Sequence, residues 1–111
     1  MIDKQSAPQY TWGDGCDGWH LVQTPELSII EERMPEVRQF HHNASQFFYV
    51  LLGSLTIEVG GAESILNPWA GMLHQCRGPH QVHNQGAADV EFLVASNPPS
   101  HGDRIPAEAV D

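Results

Sequence analysis

Short runs of alternating polar and apolar residues fill the middle of this chain, broken every few positions by glycine or proline. The clearest is residues 54–59, Ser-Leu-Thr-Ile-Glu-Val. Strand side chains alternate with period two, so this run predicts a strand with Leu55, Ile57 and Val59 buried on one face. Gly60-Gly61 then predicts a two-residue hairpin turn, with residues 62–66 returning as the partner strand. The same signals predict strands over 19–22 and 27–33, the second closed by Met34-Pro35, since proline has no amide hydrogen for a ladder. Further strands are expected around Gln39 and His41, over 46–52 as far as Gly53, and over 72–76, 80–84 and 90–96. Residues 1–18 read as an irregular lead-in with a short edge strand near Tyr10–Trp12, and residues 97–111 as a polar tail. No stretch has helical periodicity. About nine short strands separated by Gly and Pro turns predict an all-β, double-sheet barrel or jelly roll.

The run Phe47-Phe48-Tyr49-Val50-Leu51 is apolar without alternation. Such a strand is covered on both faces. One face, carrying Phe48 and Val50 beside Gln46, is expected to line the interior; the other is expected to pack on a second sheet or a partner subunit. This predicts a homodimer.

The chain has 111 residues, enough for one domain over 1–111 and one modest core. A formal charge of −9 argues against nucleic acid and against an anionic membrane surface. No apolar run approaches the ~20 residues of a membrane span, and the N-terminal residues lack the apolar core of a signal peptide. The two cysteines, Cys16 and Cys76, form no Cys-x-x-Cys pair, and a reduced cytoplasmic chain is the expectation. The seven histidines are the unusual feature.

Several of them fall into two clusters. The first holds Gln39, His41 and His42 and is followed by Gln46; the second is Gly78-Pro79-His80-Gln81-Val82-His83-Asn84. On a regular strand Gln39 and His41 share a face and His42 points the other way, unless a bulge near the turn exchanges them. His80 likewise alternates away from His83. Two imidazoles and two amides from separate strands, meeting inside a barrel, make a set that can hold a metal.

At these residues the chain resembles a cupin. Gln39-Phe40-His41, Gln46 and Gly53 keep the spacing of the family's first motif, and His80 with Asn84 that of its second. The resemblance implies a cupin-type double-stranded β-helix barrel, with a divalent ion (Zn, Ni, Fe or Mn) held by Gln39, His41, Gln46 and His80. It also implies a small organic substrate and dioxygenase, isomerase or lyase chemistry. Gln39 stands where the family has a histidine and Gln46 where it has a glutamate, so this set carries no charge. A divalent ion held by it keeps its double charge unless a bound anion offsets it.

Each residue has a second reading. His41 and His80 are either ligands or interior histidines of a barrel without metal. Gln39 and Gln46 either donate an amide oxygen or hydrogen-bond within the cavity. His74 is either a cavity-facing base or a half-exposed strand residue, and Trp69 either a lid or a packing residue. Asn84 is expected to fix backbone rather than take part in chemistry. The alternative function is a non-catalytic small-ligand binding module, its pocket lined by Phe48, Val50, His74 and Phe92.

Overall fold

The computed structural model describes residues 1–12, 15–35, 39–42, 45–74, 80–96 and 105–106, with 39–42 and 105–106 described by their backbone alone. The strands are β1 (Gln9–Trp12), β2 (Cys16–Gln23), β3 (Ser28–Met34), β4 (Gln39–His42), β5 (Gln46–Leu52), β6 (Leu55–Val59), β7 (Ala62–Leu66), β8 (Gly71–His74), β9 (His80–His83), β10 (Val90–Ser96) and β11 (Ile105–Pro106). The described residues contain no helix. None of them forms a helix long and apolar enough to cross a membrane.

The strands form two antiparallel sheets. One has the order β1-β2-β3-β10-β5-β8 and the other β11-β4-β9-β6-β7. Alternation decides what lies between them. Ile30 and Met34 of β3, Phe48 and Val50 of β5, and Val90, Phe92 and Val94 of β10 are buried from the first sheet. Leu55 and Ile57 of β6, Leu66 of β7 and Val82 of β9 are buried from the second. Together with Cys16 most of these make one continuous core. The architecture is the all-β double-stranded barrel that the alternation predicts.

The lead-in is more regular than expected. β2 starts at Cys16 rather than Trp19 and pairs with both β1 and β3. Gly18 makes this possible, because the Tyr10 ring lies over it, 2.4 Å from where a Cβ would sit. From there Tyr10 donates its hydroxyl to Glu32, whose carboxylate is buried on β3. The tail also contributes: β11 pairs with β4. Trp69 is exposed, not packed, and sits in the left-handed region at φ 72°.

Polar contacts tie the strands of the large sheet to one another and to the N-terminal segment. Arg33 donates to Asp17, to the Gly15 carbonyl and to Asp89, joining β2, β3 and the loop before β10. Lys4 reaches from the N-terminal segment to Glu31 and Glu91 and lies 4.2 Å from the centre of the Trp19 ring. Its hydrogen bond holds the Glu91 carboxyl below its ordinary value, whereas burial pushes that of Glu31 up.

Gly53 closes β5 with φ +77°, and a Cβ there would lie 2.6 Å from the Asp89 carbonyl oxygen. Left-handed backbone costs an L-residue about 1–2 kcal/mol, and this clash is with backbone that cannot rotate away. Gly53→Ala is therefore expected to lose roughly 2–4 kcal/mol. Urea unfolding measures this, and an unchanged midpoint contradicts it.

Candidate functional site

Strand register builds the site. Across the six-stranded sheet, Ser28 of β3 pairs with Ser96 of β10, Ser96 with Gln46 of β5, and Gln46 with His74 of β8. Cross-strand partners share a face, so these four side chains form one polar row at the end of the barrel. The next row inward is Ile30, Val94, Phe48 and Met72, and it is apolar. Gln46, Ser28 and Ser96 are buried, and the Gln46 amide donates to Ser96 Oγ at 3.4 Å.

His80 comes from the opposite sheet. It is wholly buried, and its ring centre lies 4.3 Å from that of His74 in an edge-on arrangement. Phe48 also packs edge-on against the His80 ring, with centres 5.7 Å apart. The His74 Nε2 is buried and makes no hydrogen bond among the described residues. Two imidazoles at this separation, one with an unsatisfied nitrogen, beside a buried amide, form a donor set that fits a metal ion.

The β4 residues enter through backbone register alone; their side chains lie outside the described set. His42 is the cross-strand partner of His80, whereas His41 pairs with Gln81 and Gln39 with His83. Of the expected metal set, Gln46 and His80 are therefore brought to one end of the barrel, and Gln39 and His41 are registered three positions and one position away from His80. Residue 42, the competing choice in the sequence, stands opposite it.

The expected pocket differs more. Phe48, Val50 and Phe92 are wholly buried members of the core, and Phe48 and Phe92 pack with ring centres 6.3 Å apart. They fill space rather than line it. Only His74 of that group stands in the polar row. A cavity of about 370 Å³ lies at the strand ends beside this row, lined by Leu27, Ser45, Gln46, Phe47, Leu73, Ala95 and Ser96.

Asn84 is structural, as expected. Its amide nitrogen donates to the Met34 and Ala88 carbonyls, and its oxygen accepts from Gly86 N–H. Ser28 and Ser96 were missed by sequence reasoning. Their signal was parity, since Ser96 shares the buried face of Val90, Phe92 and Val94, and Ser28 that of Ile30 and Met34. A second group, Glu58, Glu63 and His83, was also missed; it brings one ligand atom from each residue within 4.8 Å of the others.

A family profile described as a cupin domain matches residues 29–96. No curated protein sequence matches the chain. Among solved structures, KdgF from Halomonas sp. is similar with a TM-score of 0.79 and 16% identity, over 89% of this chain and 94% of that one. An RmlC-like cupin from Shewanella frigidimarina NCIMB 400 follows with a TM-score of 0.77 and 16% identity, over 89% and 90%. FeII HppE has a TM-score of 0.72 and 18% identity, over 86% of this chain and 58% of its own. At these identities the likeness shows a shared fold.

Proposed function

This chain belongs to the cupin family, and from that premise we propose that its barrel holds a divalent transition-metal ion and presents it to a small organic anion. The observation that carries this reading is the meeting of His74 and His80, ring centres 4.3 Å apart, beside the buried Gln46. The ligands we assign are His80, His74 and the Gln46 amide oxygen, with the fourth position supplied from β4. The register opposite His80 favours His42 over His41 there, and gives Gln39 no direct place. FeII HppE, similar in fold, bears a metal in its name.

All of these donors are neutral. The ion therefore keeps its double charge, which favours an anionic ligand. The ion would supply Lewis-acid polarisation of a bound oxygen atom. The chain's own part is to orient that ligand: Ser28 and Ser96 offer hydroxyls in the same row, and the apolar row beneath excludes water.

A second reading rests on Gln46, which stands where the family's motif has a glutamate. The loss of that carboxylate favours a binding module that holds its ligand without turnover. A second copy covering the outer face of the large sheet belongs to either reading, because Phe47 and Leu73 there are 40% and 58% exposed. Light scattering at twice the 12.3 kDa chain mass supports the dimer; the mass of one chain counts against it.

The test is metal content after purification without an affinity tag. Parent protein is expected to carry close to one barrel ion per chain, and folded His80→Ala and His74→Ala variants to lose it. Affinity should fall as the solution is acidified, because protons compete with the ion for imidazole nitrogens. Equal retention of the ion by the His74→Ala,His80→Ala double variant would sink the assignment.

A further inference from the structure

The outer face of the five-stranded sheet carries a charge arrangement that the barrel site does not use. Glu58 of β6 and Glu63 of β7 are direct cross-strand partners, two residues from either end of the Gly60-Gly61 turn. Like charges placed directly opposite each other destabilise a strand pair. The alternation that buries Leu55 and Ile57 puts both glutamates on the face away from the core.

His83 of β9 joins them. Its strand partner on β6 is Thr56, two residues before Glu58 and on the same face. Because His80 and Val82 are buried inside, His83 points outward, toward the hairpin. Its Nε2 is 3.8 Å from a Glu63 carboxylate oxygen, beyond hydrogen-bond range. That nitrogen is itself buried and makes no hydrogen bond among the described residues, and the side chain as a whole is only 11% exposed. A nitrogen withdrawn from water beside a carboxylate, with no hydrogen bond of its own, leaves a place for an ion between them.

We propose that Glu58, Glu63 and His83 form a divalent transition-metal site on the outer face of the barrel, separate from the interior site. The ligand atoms lie within 4.8 Å of one another. Around a zinc ion with bonds of about 2.0–2.2 Å they would close to roughly 3.3–3.5 Å. Glu63, the exposed member, has the freedom to make that movement. Two carboxylates and one neutral imidazole balance the double charge of the ion, and the open side leaves a position for water. Imidazole selects a first-row ion such as zinc over magnesium or calcium. Bound there, the ion ties the β6–β7 hairpin to β9 and relieves the repulsion between the two glutamates.

The experiment is a titration of metal-stripped protein with zinc alone, read by native mass spectrometry and calorimetry. In the His74→Ala,His80→Ala background, which lacks the interior donors, one zinc per chain is expected to remain. Adding Glu58→Gln and Glu63→Gln should weaken that ion by about tenfold or more, and His83→Gln should do the same. These positions are partly exposed, so the variants are expected to keep the parent's circular dichroism. Magnesium at the same concentration should leave zinc binding unchanged. If the Glu58→Gln,Glu63→Gln protein binds zinc in the same number and with the same affinity as its background, the outer site is overturned. Magnesium competing equally with zinc overturns the assigned ion class. The interior reading stands or falls on its own variants, so the two results are separable.

Discussion

Phe48→Ala is expected to cost about 3–5 kcal/mol of stability, the usual range for removing a buried phenylalanine. Phe48 is wholly buried on β5 of the large sheet, packed against Phe92 and against the His80 ring. Its neighbours are held in β5, β9 and β10 by ladder hydrogen bonds, so they collapse little into the space left behind. For a domain of this size the midpoint of thermal unfolding should fall by more than ~10 °C. The same substitution frees the His80 ring on one side, so metal affinity should fall along with stability. Phe47→Ala, one residue away on the outer face, is the control. It should change stability far less, because that ring is 40% exposed. Equal losses from the two variants would contradict the inward and outward assignment of this strand.

The second large effect is a sign reversal. Gln46→Glu places a carboxylate among Ser96, His74 and the apolar row that contains Phe48. Without metal, a buried charge lacking a partner is costly, and the metal-free variant should be less stable than the parent by about 1–3 kcal/mol. With metal, the carboxylate meets a full double charge, and affinity should rise by about tenfold or more. Binding to the folded state adds stability by mass action, so saturating metal should restore or exceed the parent's stability. The two measurements are thermal unfolding of stripped protein and calorimetric titration with zinc. The burial of the unpaired carboxylate also raises its pKa in the stripped protein. The destabilisation should thus fade as pH is lowered toward the carboxylate range, because a raised folded-state pKa contributes stability below the unfolded value and loses it as pH rises. Zinc affinity no higher than the parent's would remove Gln46 from the ligand set.

The strands were legible wherever local alternation and turn chemistry agreed. Leu55, Ile57 and Val59 with Gly60-Gly61 specify a hairpin without help from elsewhere, and the two glycines take the positive φ values, 58° and 85°, that this turn needs. β2 was legible only in its second half. Cys16-Asp17-Gly18 has no alternation, and what orders it is long-range: the Tyr10 ring over Gly18 and the Arg33 guanidinium on Asp17. Glu32 was hidden for a related reason. Its parity with Ile30 and Met34 marks it as inward, but a buried carboxylate becomes intelligible only once Tyr10 is known to donate to it. At the site, parity marked His80 and Gln46 as inward because each lies on a strand whose buried face its apolar neighbours fix, and both are buried. It could not separate His41 from His42, since adjacent histidines take opposite faces and only the register across β9 shows which of them stands opposite His80. The expected pocket followed from counting inward positions. Counting does not show whether inward side chains meet one another, and Phe48, Val50 and Phe92 do.

The place of β10 in the large sheet bears on how the chain is made as well as how it stands. β10 lies between β3 and β5 and bonds to both, yet in chain order it follows every other strand of that sheet. While the chain emerges from the ribosome, β3 and β5 each hold an open edge facing the gap that β10 will fill. The hairpins β2–β3 and β6–β7 can form early, because their contacts are local. The central closure is a late, non-local event. A nascent chain that stalls before Val90 presents two unsatisfied apolar edges, and such edges are templates for pairing with the wrong partner. Insertion of one seven-residue strand therefore separates a chain with two open edges from a closed barrel.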